Sequence, residues 1–204
     1  MKKNKIQRNA KAFENLLNTE YYICLSHKGK GFEVCLKFCK EDFHHLEGIG
    51  QLKDLDIHKE SGNITFLLSK DGDIAEELLQ KSKYYVGEKI QNKVDNLYLL
   101  EEAIDNNKIM FRMKKGSNPR IRIDADIFLF TKVGNEEIFL YIDKIRSSNM
   151  DYYCRSFVAN PDFDRTEGQL KLTLLWKEKR NLLTGDSVVQ YQFKDFTPDK
   201  LKHG

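Results

Sequence analysis

From Lys108 onward the sequence breaks into six short apolar runs, at 108–113, 121–131, 136–145, 151–158, 169–178 and 187–193. Turn-forming clusters separate them: Lys115-Gly116-Ser117-Asn118-Pro119, Gly134-Asn135, Ser147-Ser148-Asn149, Asn160-Pro161-Asp162 and Thr184-Gly185-Asp186. Apolar runs of this length, alternating or continuous, read as strands. Strands joined by such short connections pair antiparallel, because a parallel crossover needs a dozen or more residues. The second half of the chain therefore predicts an antiparallel meander. Ile138-Phe139-Leu140-Tyr141-Ile142 is apolar on both faces and predicts a central strand.

The first half has a different rhythm. Ile6, Ala10, Phe13, Leu16 and Leu17 recur at helical spacing and predict a helix over 5–18. Tyr21 to Ser26 and Phe32 to Phe38 predict a hairpin around His27-Lys28-Gly29-Lys30-Gly31, the second run alternating Phe32, Val34, Leu36 and Phe38 with polar or small residues. A short helix is predicted from Lys40, with Phe43, Leu46 and Ile49 on one face and Gly48 and Gly50 at its end. Ile64 to Leu68 reads as a short strand. Asp73 and Glu76, at capping-box spacing, predict a helix through Leu78 and Leu79. Ile90, Val94, Leu97 and Leu100 predict another, ending near Asn106, with Gly87 breaking the path between the two. The fold class expected is α+β, with helices in the N-terminal half packed on a C-terminal antiparallel β-meander. One domain is expected over 1–204: helices with short strands over 1–106, the sheet over 107–195, and a frayed tail over 196–204.

Length and composition agree with a folded domain. The chain has 204 residues, 40% hydrophobic and 32% charged, enough to bury a core. Its 34 basic and 31 acidic residues leave a net charge of +3, which permits contact with nucleic acid without demanding it. No apolar stretch approaches the roughly 18 residues of a membrane span. The basic start, Met1-Lys2-Lys3-Asn4-Lys5, is followed by no apolar segment of a secretory leader, so a cytoplasmic protein with no membrane contact is expected. Cys24, Cys35, Cys39 and Cys154 lie in or beside strand-like runs, as reduced cysteines of a cytoplasmic protein do, and no disulfide-linked partner is expected.

Only five histidines occur, and two of them, His44 and His45, are adjacent in Phe43-His44-His45-Leu46-Glu47-Gly48. Histidine is the side chain whose ordinary pKa lies near neutrality, which suits it to moving protons. Adjacent helical residues point about 100° apart, whereas a metal pair wants a spacing of three or four, so acid–base or hydrogen-bonding work is favoured over metal binding. Other constellations fall short of a metal site. Cys35 and Cys39 have no second pair at zinc spacing. Asp124 and Asp126 share a strand face with Arg122 but lack a third carboxylate. Asp162 and Asp164 do not continue the ligand pattern of a calcium loop. No metal and no cofactor is expected.

Phe43-x-His45-Leu46-x-Gly48 resembles the F-x-H-L-x-G motif of the fourth phage-type nuclease family of the barnase–EndoU–colicin–RelE superfamily, carried by phages and mobile elements. Ile90 to Ile104 resembles that family's mid-region helix. Tyr153-Cys154-Arg155-Ser156-Phe157-Val158, Arg165-Thr166-Glu167-Gly168-Gln169 and Leu172-Thr173-Leu174-Leu175 resemble its C-terminal strands. The resemblance implies a barnase/EndoU-like fold and metal-independent cleavage of RNA. Such cleavage needs a base for the 2′-hydroxyl proton, an acid for the leaving 5′-oxygen and a cation on the phosphate. His45 is the candidate base or acid, with His44 in reserve for the second proton transfer. Arg155 is the candidate phosphate clamp, since guanidinium matches phosphate oxygens in pairs. Tyr153, two residues earlier on the same strand face, is placed to hydrogen-bond or stack on a base. Thr166, Gln169 and Ser156 complete the set as phosphate- or substrate-binding residues. Two other readings stand beside this one: a catalytically inactive RNA- or protein-binding module of the same fold, and an interaction or immunity-type protein with no nucleic-acid role.

Overall fold

The computed structural model describes residues 4–85 and 88–201. Gly87 and residues 202–204 of the tail lie outside them. Eight strands, β1 (Thr19–His27), β2 (Lys30–Lys37), β3 (Ile109–Arg112), β4 (Ile127–Val133), β5 (Glu136–Lys144), β6 (Asp151–Ala159), β7 (Leu170–Asn181) and β8 (Ser187–Gln192), form one sheet in the order β1-β2-β6-β5-β4-β3-β7-β8. β1 also pairs with β7, so the first seven strands close into a barrel and β8 extends it from outside. The helices are α1 (Lys5–Glu14), α2 (Lys40–Leu46), α3 (Gly62–Asp71), α4 (Glu76–Leu79), α5 (Glu88–Asn96) and α6 (Leu100–Asn106).

This corrects the expected fold class. β4, β5 and β6 are the meander the sequence predicts, but the sheet does not end there. β6 runs parallel to β2 through Cys35 opposite Asp151 and Leu36 opposite Tyr152. β7 is long enough to serve two partners in succession. Leu170 to Leu172 bond β3, and Thr173 to Asn181 bond β1. The N-terminal hairpin is thus part of the barrel, and helices and strands are interspersed along the chain. The physical reason is that periodicity reports which face of a strand is buried and is silent about its edges. Every edge inside a fold still needs partners for its N–H and C=O groups, and closure supplies them.

Local corrections have local causes. Ile64 to Leu68 lies in α3, not in a strand. The Ser61 hydroxyl accepts from Ile64 N at 3.3 Å to start the helix, and Gly72, at φ +92°, stops it, with Asp73 N donating to Leu68 O at 2.9 Å. Two end signals override a β-branched run. The helix expected from Asp73 is the single turn α4, which begins after Ala75. The helix expected over 90–106 is split by a 3-10 turn, Leu97–Leu99, into α5 and α6. Residues 121–126 form no strand; Ile121 and Ile123 cover Phe128 and Tyr141 on the second face of the sheet. In the tail, Phe196 and Leu201 pack against Tyr22, Cys24 and Cys35.

One core joins the barrel to the helices. Tyr21, Ile23, Leu36, Leu140, Ile142 and Phe157 meet Ile6, Phe13, Phe43, Phe66 and Val94. Phe43 anchors α2 in it, fully buried between Phe13 and Phe66 at ring distances of 5.6 and 5.7 Å. A buried lysine ties β7 to α6: Lys177, 1% exposed, donates to the carbonyls of Ile104 and Asp105 at 2.7 Å and of Asn107 at 2.8 Å. Those carbonyls lie at a helix C-terminus, where a cation is favoured. Burial nevertheless pushes the Lys177 ammonium down to about 8. Lys177→Met leaves the carbonyls without a donor and should cost about 3 kcal/mol in urea unfolding; a loss below about 0.5 kcal/mol would mean that water replaces the ammonium there.

Candidate active site: a basic cleft between α5 and β6

α2 sets its two histidines in unlike surroundings. His44 is buried, with Nδ1 3.0 Å from the Thr65 hydroxyl. Burial lowers its pKa, and the neighbouring His45 and His58 lower it further. His45 is exposed, its ring edge-on to that of His44 at 5.8 Å. The hydrogen bond that His45 contributes comes from its backbone: its carbonyl accepts from Lys93 Nζ at 3.2 Å.

Arg155 lies elsewhere. Tyr141 pairs with Ser156 and Ile142 with Cys154, which leaves Arg155 unopposed in a β-bulge. Its Nη1 donates to the Tyr153 hydroxyl at 2.9 Å, and that hydroxyl donates to Asp143 at 3.4 Å. Tyr153 and Asp143 raise the pKa of the exposed guanidinium. No hydrogen bond, ion pair or ring contact among the described residues joins His45 to Arg155. Thr166 is engaged locally, its N and Oγ1 both donating to Asp164 Oδ1, at 2.8 and 2.7 Å. Gln169 staples two loops, accepting from Lys114 N and donating to the Ser117 hydroxyl, both at 2.8 Å. Asp124 pairs with Lys115 at 2.9 Å, and Asp126 accepts from Lys144 N at 3.1 Å.

Of the site residues expected from the sequence, Ser156 lines a cleft of about 1040 Å³. α5, the end of β6 and the loops at 119–123 and 160–165 form most of its wall, and Gln51 and Tyr84 complete it. Four cations line it, Lys93, Arg120, Arg122 and Arg165, against one carboxylate, Asp162. Among the described residues none of the four lies within 4 Å of a carboxylate oxygen. Arg120 and Arg165 set their guanidinium groups against the Phe163 ring, at 4.4 and 4.7 Å from its centre. Arg165 donates from Nη1 to the Tyr141 hydroxyl at 3.2 Å, and its Nε is buried with no partner. A buried, unsatisfied donor is costly, and an arriving acceptor relieves it.

Lys93 is the unusual member. It stands three residues after Ile90 and one before Val94, on the stripe of α5 that faces the core, and is 5% exposed. Burial pushes its ammonium down to about 8; Cys154 and Glu47 act against this fall and Arg165 with it. The Phe43–Gly48 segment cradles its stem. Gly48 sits at φ +87°, and a Cβ there would meet Lys93 Cδ at 3.2 Å. Sequence patterning missed Lys93 and Arg120, and it met Arg122 only as a partner for Asp124 and Asp126 and Arg165 only as part of the family-like segment, giving neither a role in the site. A lysine on an apolar helical stripe was the readable signal for the first; the three arginines lie in polar loops, where nothing local distinguishes them.

Cations without carboxylate partners in one cleft make its potential positive, which favours an anion there. The chain belongs to the phage-Barnase-EndoU-ColicinE5/D-RelE like nuclease4 family, whose family model matches residues 5–194. No curated protein and no solved structure matches it. Among the described residues no helix is long and apolar enough to cross a membrane.

Gly48→Ala combines a left-handed backbone with a displaced Lys93 stem and should cost about 1–2 kcal/mol. Urea unfolding measures it; an unchanged midpoint would show that the turn relaxes freely.

Proposed function

We propose that the chain is a metal-independent endoribonuclease that holds the scissile phosphate of RNA in the cleft between α5 and β6. The observation that carries this reading is the set of four cations without carboxylate partners lining one cleft, in a chain of a nuclease family. Arg120, Arg122 and Arg165 offer forked donors to the non-bridging oxygens, where charge builds as the 2′-oxygen attacks phosphorus. The P–O bond to the 5′-oxygen breaks, leaving a 2′,3′-cyclic phosphate. The Lys93 ammonium gives its proton to the departing 5′-oxygen, and its depressed pKa suits it to an acid's role near neutrality. Asp162, the carboxylate of the lining, takes the proton of the 2′-hydroxyl. Ser156 hydrogen-bonds the substrate. A cytoplasmic enzyme carried by a phage or mobile element is the setting this reading implies.

One observation favours a second reading: among the described residues no histidine lines the cleft. A protein that binds RNA there and leaves it intact would be the inactive module of the same fold.

Cleavage of a labelled RNA in EDTA tests the proposal. The wild type is expected to cut RNA and to spare a strand with deoxyribose at the scissile position. Lys93→Met and Arg165→Ala should each lower the rate by about 100-fold or more, while His45→Ala and Arg155→Ala stay within about tenfold of wild type. Loss of cleavage in EDTA would refute the metal-free mechanism. Loss in the His45 and Arg155 variants, with Lys93→Met active, would move the site to that pair. Tight binding without cleavage would establish the second reading.

A further inference from the structure

The cleft is larger than a phosphate requires. Its volume of about 1040 Å³ lies at the upper end of the roughly 300–1,000 Å³ of sites that enclose whole small molecules. Part of its lining is also of the wrong kind for a phosphate alone: Tyr84, Pro119, Ile123, Val158 and Pro161 present apolar surface. Such surface gains nothing from an anion and is unfavourable against water, so it suits a ligand with an apolar face of its own.

Two aromatic rings stand in the lining, and they differ. The ring of Phe163 is already taken by the protein, with the guanidinium groups of Arg120 and Arg165 at 4.4 and 4.7 Å from its centre. Tyr84 is 45% exposed, and among the described residues its hydroxyl makes no hydrogen bond. The Lys83 ammonium lies 5.2 Å from the centre of its ring. One ammonium covers one face at most, which leaves the other to a ligand. The backbone beneath the ring is pinned. Tyr84 N donates to the Ser82 hydroxyl at 3.1 Å, that hydroxyl donates to Asp54, and Lys83 N donates to Asp54 Oδ2 at 2.9 Å. The next residue, Tyr85, is buried in the core. An exposed ring on a fixed turn loses little freedom when something stacks on it.

Cations and a free aromatic face in one cleft match the two halves of a nucleotide, its charged backbone and the π-face of its base. We infer that Tyr84 is the stacking platform for the base of a nucleotide whose phosphate sits at the cleft arginines, so that the cleft takes a single strand and rejects a duplex. In a duplex each base is covered above and below by its neighbours, and its face is closed to a side chain. That the strand is RNA, and that it is cut, rests on the nuclease reading; the stacking does not.

Binding of a short single strand carrying 2′-O-methyl groups, which resists cleavage, to the full chain tests this. Tyr84→Ala, a change at an exposed ring, should weaken binding about 5- to 100-fold. Tyr84→Phe should stay within about threefold of the wild type, because the ring and not the hydroxyl carries the stack. A series of strands with one base removed at a time locates the partner. At one position the wild type should lose about the same factor as it loses on Tyr84→Ala, and Tyr84→Ala should lose nothing further there. Annealing the strand to its complement should weaken binding to the wild type by at least that factor. Full affinity in Tyr84→Ala overturns the inference, as does a missing-base penalty that persists unchanged in Tyr84→Ala, or equal affinity for strand and duplex. If Arg165→Ala weakens binding and Tyr84→Ala does not, the cleft still holds the phosphate and the stacking inference alone falls. Coupled loss at Tyr84 and one base, in a chain that never cuts RNA, upholds the inference and refutes the nuclease reading. A single strand that does not bind at all refutes both.

Discussion

The pairing of β1 with β7 is the constraint on which the rest of the molecule depends. Without it the sheet would end in two open edges, and the N-terminal hairpin would have no second neighbour. With it, Tyr21 stands between Leu36 on β2 and Lys179 on β7, and the ring of seven strands is complete. Closure presents one apolar face to the helices, so α1, α2, α3 and α5 share a core with strands from both halves of the chain. It also fixes β6 beside α2 and α5, through Cys154 and Phe157 in that core. The cleft is what remains where the end of β6 and the loops at 119–123 and 160–165 leave α5 partly uncovered.

The cleft carries an electrostatic cost that the fold meets in two ways. Arginine tolerates partial burial because its charge is spread over a plane that stacks on aromatic rings, and Arg120 and Arg165 use Phe163 for this. Lysine has a compact charge and no such recourse. Lys93 has the His45 carbonyl. The contrast with Lys177 is instructive. That lysine is buried too, but three carbonyls take its donors, and it closes a helix end.

Much of the secondary structure was legible in the sequence, because face periodicity and turn chemistry are local. The strands β5, β6, β7 and β8, the N-terminal hairpin, α1 and α2 all follow from it. α3 was misread because the apolar run Ile64–Leu68 has no polar alternation to arbitrate, and the decisive residues, Ser61 and Gly72, stand outside the run. Barrel closure was not legible, since strand edges carry no pattern and the β1–β7 contact spans most of the chain. The family motif was legible as a sequence of residues; what its backbone does was not: the His45 carbonyl accepts from Lys93, and the turn at Gly48 leaves room for the Lys93 stem. Arg155 and Ser156 are neighbours in sequence, yet a bulge separates their surroundings. A one-residue slip in a strand exchanges one face for the other, and no local signal announces it.

The central claim is that the phosphate of the substrate sits among Arg120, Arg122 and Arg165. The most direct test is an NMR titration of the full chain, with its arginine Nε–Hε resonances assigned, by a short RNA carrying 2′-O-methyl groups so that it binds without being cut. The account predicts that the resonances of those three arginines shift and saturate together, that Arg165 shifts most because its Nε lacks a partner, and that Arg155 stays in place. Saturating shifts at Arg155, with the cleft arginines unmoved, would contradict it.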